Sequence, residues 1–83
     1  MYTIVGIKRH DYVSKKDGKR KLGTTLYMTY EQSNMEGIAV LEEYINNEFC
    51  DTSGLEVGDI IRLFYNRWKK VEGFELVETV EGR

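Results

Sequence analysis

Proline is absent from this 83-residue chain, and cysteine, histidine and tryptophan occur once each. Without proline, turns fall to Gly, Asn and Asp, and no X-Pro isomerisation is expected to slow folding. The lone Cys50 excludes a disulfide framework within the chain and points to a reducing, cytoplasmic setting. One His and one Cys cannot furnish a zinc site, so neither metal nor cofactor is expected. No stretch approaches the run of about 18 apolar residues that a membrane span needs. The opening MYTIVGIKRH lacks the basic-then-apolar order of a secretory signal.

Catalytic groupings are missing as well. His10 and Asp11 are neighbours and would face apart on a strand, as would Glu42 and Glu43. Cys50 reads as a small buried hydrophobe. Neither DGKRKLG nor VGD opens a helix, so no phosphate loop is present. The expectation is a protein that binds rather than catalyses.

What the chain does have is sorted charge. Residues 1–30 carry seven Lys/Arg against two Asp, and residues 31–61 carry eight acids and no base. Residues 62–70 carry four bases and no acid, and residues 71–83 carry four Glu against Arg83. Both basic stretches fall on turn signals between strand-like runs. This pattern predicts a face that meets a polyanion on an otherwise negative body.

Hydrophobic alternation predicts a single all-β domain over residues 1–83. Residues 2–10 are rich in β-branched side chains and read as a strand. SKKDGKRK at 14–21 reads as a hairpin tip around Asp17-Gly18. From Leu22 to Tyr30 the alternation is clean, with Leu22, Thr24, Leu26, Met28 and Tyr30 on one face and Gly23, Thr25, Tyr27 and Thr29 on the other. Residues 37–50 are ambiguous. A strand over 37–45, kinked by a bulge near Leu41, competes with a helix carrying Ile38, Leu41, Ile45 and Phe49. A turn at Val57-Gly58-Asp59 introduces another strand, the basic turn Asn66–Lys70 follows, and residues 71–80 return as the last strand. Glu81-Gly82-Arg83 are expected to fray.

Five strands in this length, spaced by Gly-rich turns, predict a small Greek-key barrel of the oligonucleotide-binding (OB) type. In such barrels the loops after strands 1 and 4 flank the binding face. Here those two loops carry the bases.

The candidate ligand-contacting residues follow. Lys8, Arg9, Lys15, Lys16, Lys19, Arg20, Lys21, Arg67, Lys69 and Lys70 are placed to neutralise phosphates. Tyr27, Trp68 and Tyr12 are placed to stack bases, which is worth roughly 1–3 kcal/mol per base whatever the base. Each has an ordinary explanation too. Charge at a hairpin tip keeps edges from aggregating, Trp68 could fold back as a lid, and Tyr27 could join a cross-strand aromatic pair. Tyr2, Tyr30, Tyr44 and Tyr65 read as core or rim.

The order of basic hairpin, Leu-Gly-x-x-Leu-Tyr strand, glycine-led third strand and LEVGDIIRLFYNRWKKVEGFELV resembles the small single-stranded-DNA-binding proteins of phages and mobile elements, among them the filamentous-phage gene V proteins. The resemblance spans about residues 2–78. It implies an OB-like barrel, a homodimer, and cooperative, sequence-tolerant coating of single strands in replication or transfer. It also implies DNA contact by Tyr27 and by the Lys/Arg of the preceding hairpin. The long acidic middle departs from that pattern and suits a basic protein partner. Two further expectations stand beside single-stranded DNA: a small barrel that grips a peptide with no nucleic-acid role, and an RNA-binding barrel.

Overall fold

A computed structural model describes residues 1–79; the fray expected at the C-terminus lies outside the described residues. Five strands follow in order: β1 (Tyr2–Val13), β2 (Arg20–Tyr30), β3 (Ala39–Asn46), β4 (Ile60–Tyr65) and β5 (Val71–Glu78). They form one antiparallel sheet in the order β3-β2-β1-β4-β5. The sheet curls until its edge strands β3 and β5 approach each other without joining in a ladder. This is the all-β, OB-like arrangement that the sequence predicts, left partly open. No helix among the described residues is long and apolar enough to cross a membrane.

The alternation of β2 sets the inside of the barrel. Leu26, Met28 and Thr24 point inward and are buried, and they meet Ile4, Ile45, Leu55, Ile61 and Leu63. Tyr2, Ile7, Leu41, Cys50, Val71 and Phe74 close around that cluster. Truncating a central member such as Leu26 would cost about 2–5 kcal/mol by the usual cavity argument.

Residues 37–50 correct one expectation. They hold a regular strand, and β3 pairs with β2 without a register shift from Gly23↔Asn46 to Tyr30↔Ala39. There is no bulge at Leu41 and no helix. Bulges lie elsewhere: on β1, where Val5 is the extra residue between Ile4↔Met28 and Gly6↔Tyr27, and in the β4–β5 ladder, which shifts register at Ile60/Ile61 and Phe64/Tyr65. One inserted residue exchanges the faces of the rest of the strand. Beyond Val5, Ile7 turns inward, while Lys8, His10 and Tyr12 turn outward.

The 47–59 connection plugs one end of the barrel with a satisfied polar network. Thr24 Oγ1 donates to Asn47 Oδ1 at 2.9 Å and lies 2.7 Å from Thr52 Oγ1. Asn47 Nδ2 donates to the Cys50 carbonyl at 2.9 Å and to Thr52 Oγ1 at 3.1 Å. Buried Asp59 accepts from the Glu56 amide at 2.9 Å, closing the turn before β4. Across the open seam, Tyr65 of β4 faces Glu43 of β3. Burial first, then that carboxylate, pushes the Tyr65 phenol far above its ordinary value.

Candidate nucleic-acid interface

The outer surface of β1, β2 and β3 is where the bulge has its effect. Strand register sets Tyr12 opposite Lys21, His10 opposite Gly23, Lys8 opposite Thr25 and Gly6 opposite Tyr27. On the other side of β2, Gly23 faces Asn46, Thr25 faces Tyr44 and Tyr27 faces Glu42. Three tyrosines, one histidine and two lysines therefore share one outward face, separated by small residues.

Two glycines shape it. The Tyr44 ring lies across Gly23, where any Cβ would collide with the phenol. Tyr27 leans over Gly6, its Cδ2 3.3 Å from where a Cβ would stand. Tyr44 reaches toward β1, its centroid 6.0 Å from that of His10. His10 Nε2 is hydrogen-bonded to Thr25 Oγ1 at 2.9 Å, which fixes the imidazole against the sheet. Partial burial and the adjoining Tyr12 hydroxyl raise the Tyr44 phenol above its ordinary value, so it stays a neutral ring. Tyr27 is 38% exposed and Tyr44 46%. Among the described residues Tyr27 has no ring partner, which removes the cross-strand aromatic pair as its explanation.

The first basic turn is a compact loop over 14–19, with Gly18 at φ 70° and its amide donating to the Ser14 carbonyl at 2.9 Å. Its cations divide. Arg20 grips Asp11 through two guanidinium bonds, Nε to Oδ1 at 2.8 Å, and holds that carboxyl below its ordinary value. Lys21 lies 3.6 Å from Asp17 and 3.9 Å from Glu48. Lys15, Lys16 and Lys19 are exposed and lack a carboxylate partner among the described residues.

Arg9 turns to the inner side, donating to the carbonyls of Thr52 and Leu55 at 3.3 Å each. Its charge is used to hold the 47–59 connection. Lys8, its neighbour, remains exposed on the outer face.

The second basic turn is built by Asn66, whose Oδ1 accepts from the Trp68 amide at 2.9 Å and the Lys70 amide at 3.0 Å. The Asn66 amide donates to the Lys70 carbonyl at 2.8 Å, and Lys69 takes φ 63°. Trp68 does not fold back as a lid; it is 65% exposed, with the Arg67 guanidinium 4.4 Å from the ring centroid. Among the described residues Arg67, Lys69 and Lys70 have no acidic partner.

The two turns lie off opposite ends of β1. The 14–19 turn continues from Val13, whereas β4 runs antiparallel to β1 from Thr3↔Ile60 and Tyr2↔Ile61 and carries its turn beyond the start of β1. The rings stand exposed between and upon them.

Residue-level reading of the sequence misses two members of this surface: Tyr44 reads there as core or rim, and His10 only as a rejected catalytic candidate. Phe49, an apolar position of the helix alternative, is instead 80% exposed beyond β3. Phe49 rides a turn made by Asn46, whose Oδ1 accepts from the Glu48 amide at 2.9 Å. The available signal was Gly23: a glycine inside a clean strand marks a close approach by another group.

Comparison of the chain with protein-family models, with characterised proteins and with solved structures yields no match.

Proposed function

We propose that this barrel binds single-stranded DNA without sequence preference, in replication or transfer, and performs no catalysis. The reading rests chiefly on the outer β1–β2–β3 face, where Tyr12, Tyr27 and Tyr44 alternate with Lys8, Lys21 and His10 among small residues, with Glu42 the acidic group at its β3 margin. Flat rings offer every base a stacking partner, and the nearby ammonium groups meet the backbone. Lys15, Lys16 and Lys19 on one turn and Arg67, Lys69 and Lys70 on the other add unpaired charge. Arg9, Arg20 and Lys21 make smaller contributions, because their charged groups are engaged within the protein.

Gel shift on oligo-dT across a salt series is the test. With five or six phosphates neutralised, log affinity should fall against log salt with a slope of about −4, at roughly −0.7 per contact. Binding that is absent at low salt, or indifferent to salt, defeats the proposal. Competition with a matched RNA strand separates the DNA from the RNA reading.

A further inference from the structure

We propose, on the nucleic-acid reading above, that one single strand lies lengthwise on the protein between two separate stacking stations. The first station is the ring set Tyr12, Tyr44 and Tyr27 on the sheet; the second is Trp68 on the far turn. Full affinity then requires a strand long enough to reach both.

Dimensions come first. A 12-residue strand such as β1 covers about 40 Å when straight. The stations sit along β1 and beyond its start, and the longest dimension of the molecule is 46 Å. A stacked strand advancing ~3.4 Å per nucleotide covers that length in about 13 nucleotides.

Charge sets the direction. A strand crossing the sheet over β3 would meet Glu42 on the outer face, Glu43 being turned inward toward Tyr65. Beyond the seam, β5 presents Glu72 and Glu78, with Glu75 paired to Arg62 at 3.8 Å. Repulsion on that side disfavours the transverse path. The lengthwise path leaves Tyr27, passes the outward Val5, Thr3 and Thr29, and crosses a cleft of about 380 Å³ beside Ile60 and Ile38. No Lys or Arg lines that cleft, and Glu31 at its rim is the one charged side chain among its lining residues. Its hydroxyls and apolar groups suit bases and sugars, with phosphates held at the two ends.

Trp68 is suited to terminate such a path. Arg67 covers one face of its ring, leaving the other for one base. The Asn66 bonds hold the turn in place before any ligand arrives.

Trp68 is the only tryptophan, so its emission reports the second station alone. The probes are oligo-dT of about 4 and about 16 nucleotides, the two ends of the site-size range for such folds. Affinity is measured by competition against a labelled strand, and emission with unlabelled strands. The short strand should bind and leave Trp68 emission unchanged. The long strand should quench it and bind at least about fivefold tighter beyond the statistical gain of added length. Trp68→Ala should remove that advantage and leave short-strand binding intact, whereas Tyr44→Ala should weaken both. Quenching by the short strand, no quenching by the long one, or equal weakening of both by Trp68→Ala overturns the two-station path. Failure of either strand to bind wild type overturns the nucleic-acid reading itself.

Discussion

The turn at 14–19 and the turn at 66–70 carry the positive charge of this protein in different states. Around the first, five cations cluster in sequence, but Asp11 takes Arg20, and Asp17 and Glu48 share Lys21. Around the second, Arg67, Lys69 and Lys70 all stand unpaired among the described residues. Five against three in sequence becomes three against three in structure. Sequence charge density therefore overstates what the first turn can offer a polyanion. The second differs in another way: its cations accompany a ring on the same turn, whereas the first turn relies on rings that the adjoining sheet supplies.

Neutralising each free set tests this equality most severely. Lys15→Ala, Lys16→Ala and Lys19→Ala together should reduce the salt slope for oligo-dT by about 2, at roughly 0.7 per contact. Arg67→Ala, Lys69→Ala and Lys70→Ala together should reduce it by the same amount. Adding Arg20→Ala and Lys21→Ala to the first set should reduce the slope little further; a further reduction of about 1.4, two more contacts, would show that the internal ion pairs open freely in the complex and that the sequence count was right. Salt titrations of these variants beside wild type decide the matter.

The sheet face can be broken without touching a ring. At Gly23 a Cβ must push the Tyr44 phenol off the sheet. Gly23→Ala should therefore weaken oligo-dT binding as Tyr44→Ala does, by about 1–3 kcal/mol. Stability should change by about 1 kcal/mol or less, since alanine suits a strand better than glycine and the displaced ring ends in solvent. Urea unfolding and anisotropy together check this. Wild-type affinity in Gly23→Ala would remove Tyr44 from the interface. No equivalent glycine supports Trp68, so the same approach has no counterpart on the second turn.

Much of the barrel was legible in the sequence because β2 alternates without interruption and Gly, Asn and Asp mark its turns. Residues 39–46 were harder for a definable reason. Val40 and Tyr44 are apolar yet face outward, while Leu41 and Ile45 face inward. A strand with apolar groups on both faces mimics a change of face, hence the expected bulge at Leu41. The real bulge at Val5 was hidden because Thr3, Ile4, Val5 and Ile7 are all strand-formers, and an extra residue among them leaves no mark. That hidden residue decides which of Lys8 and Arg9 faces outward. The site was therefore legible as two basic turns and three rings, Tyr12, Tyr27 and Trp68, while the place of Tyr44 beside them needed the pairing register. Likewise, the neutralised cations became visible only once Asp11 and Glu48, distant in sequence, were seen beside Arg20 and Lys21.

The finest distinction between the turns lies in the Arg20–Asp11 pair. Asp11→Asn should release Arg20 to a phosphate and steepen the oligo-dT salt slope by about 0.7, one further contact. The pH behaviour follows from the sign of the shift. Arg20 first, through its hydrogen bonds, holds the Asp11 carboxyl below its ordinary value. Whatever stability the pair lends is present above the carboxyl's unfolded-state value and is lost as pH falls through the lowered folded one. Around neutral pH the Asp11 carboxylate of wild type stays ionised opposite Arg20, and the variant's excess affinity should be constant there. As acid protonates Asp11 in wild type, Arg20 comes free and the two proteins should converge. Thymine bases carry no group that protonates in that range, so oligo-dT isolates the effect. Parallel salt slopes for wild type and Asp11→Asn at neutral pH would mean that the ion pair already yields to phosphate, and the first turn would then offer more than three cations.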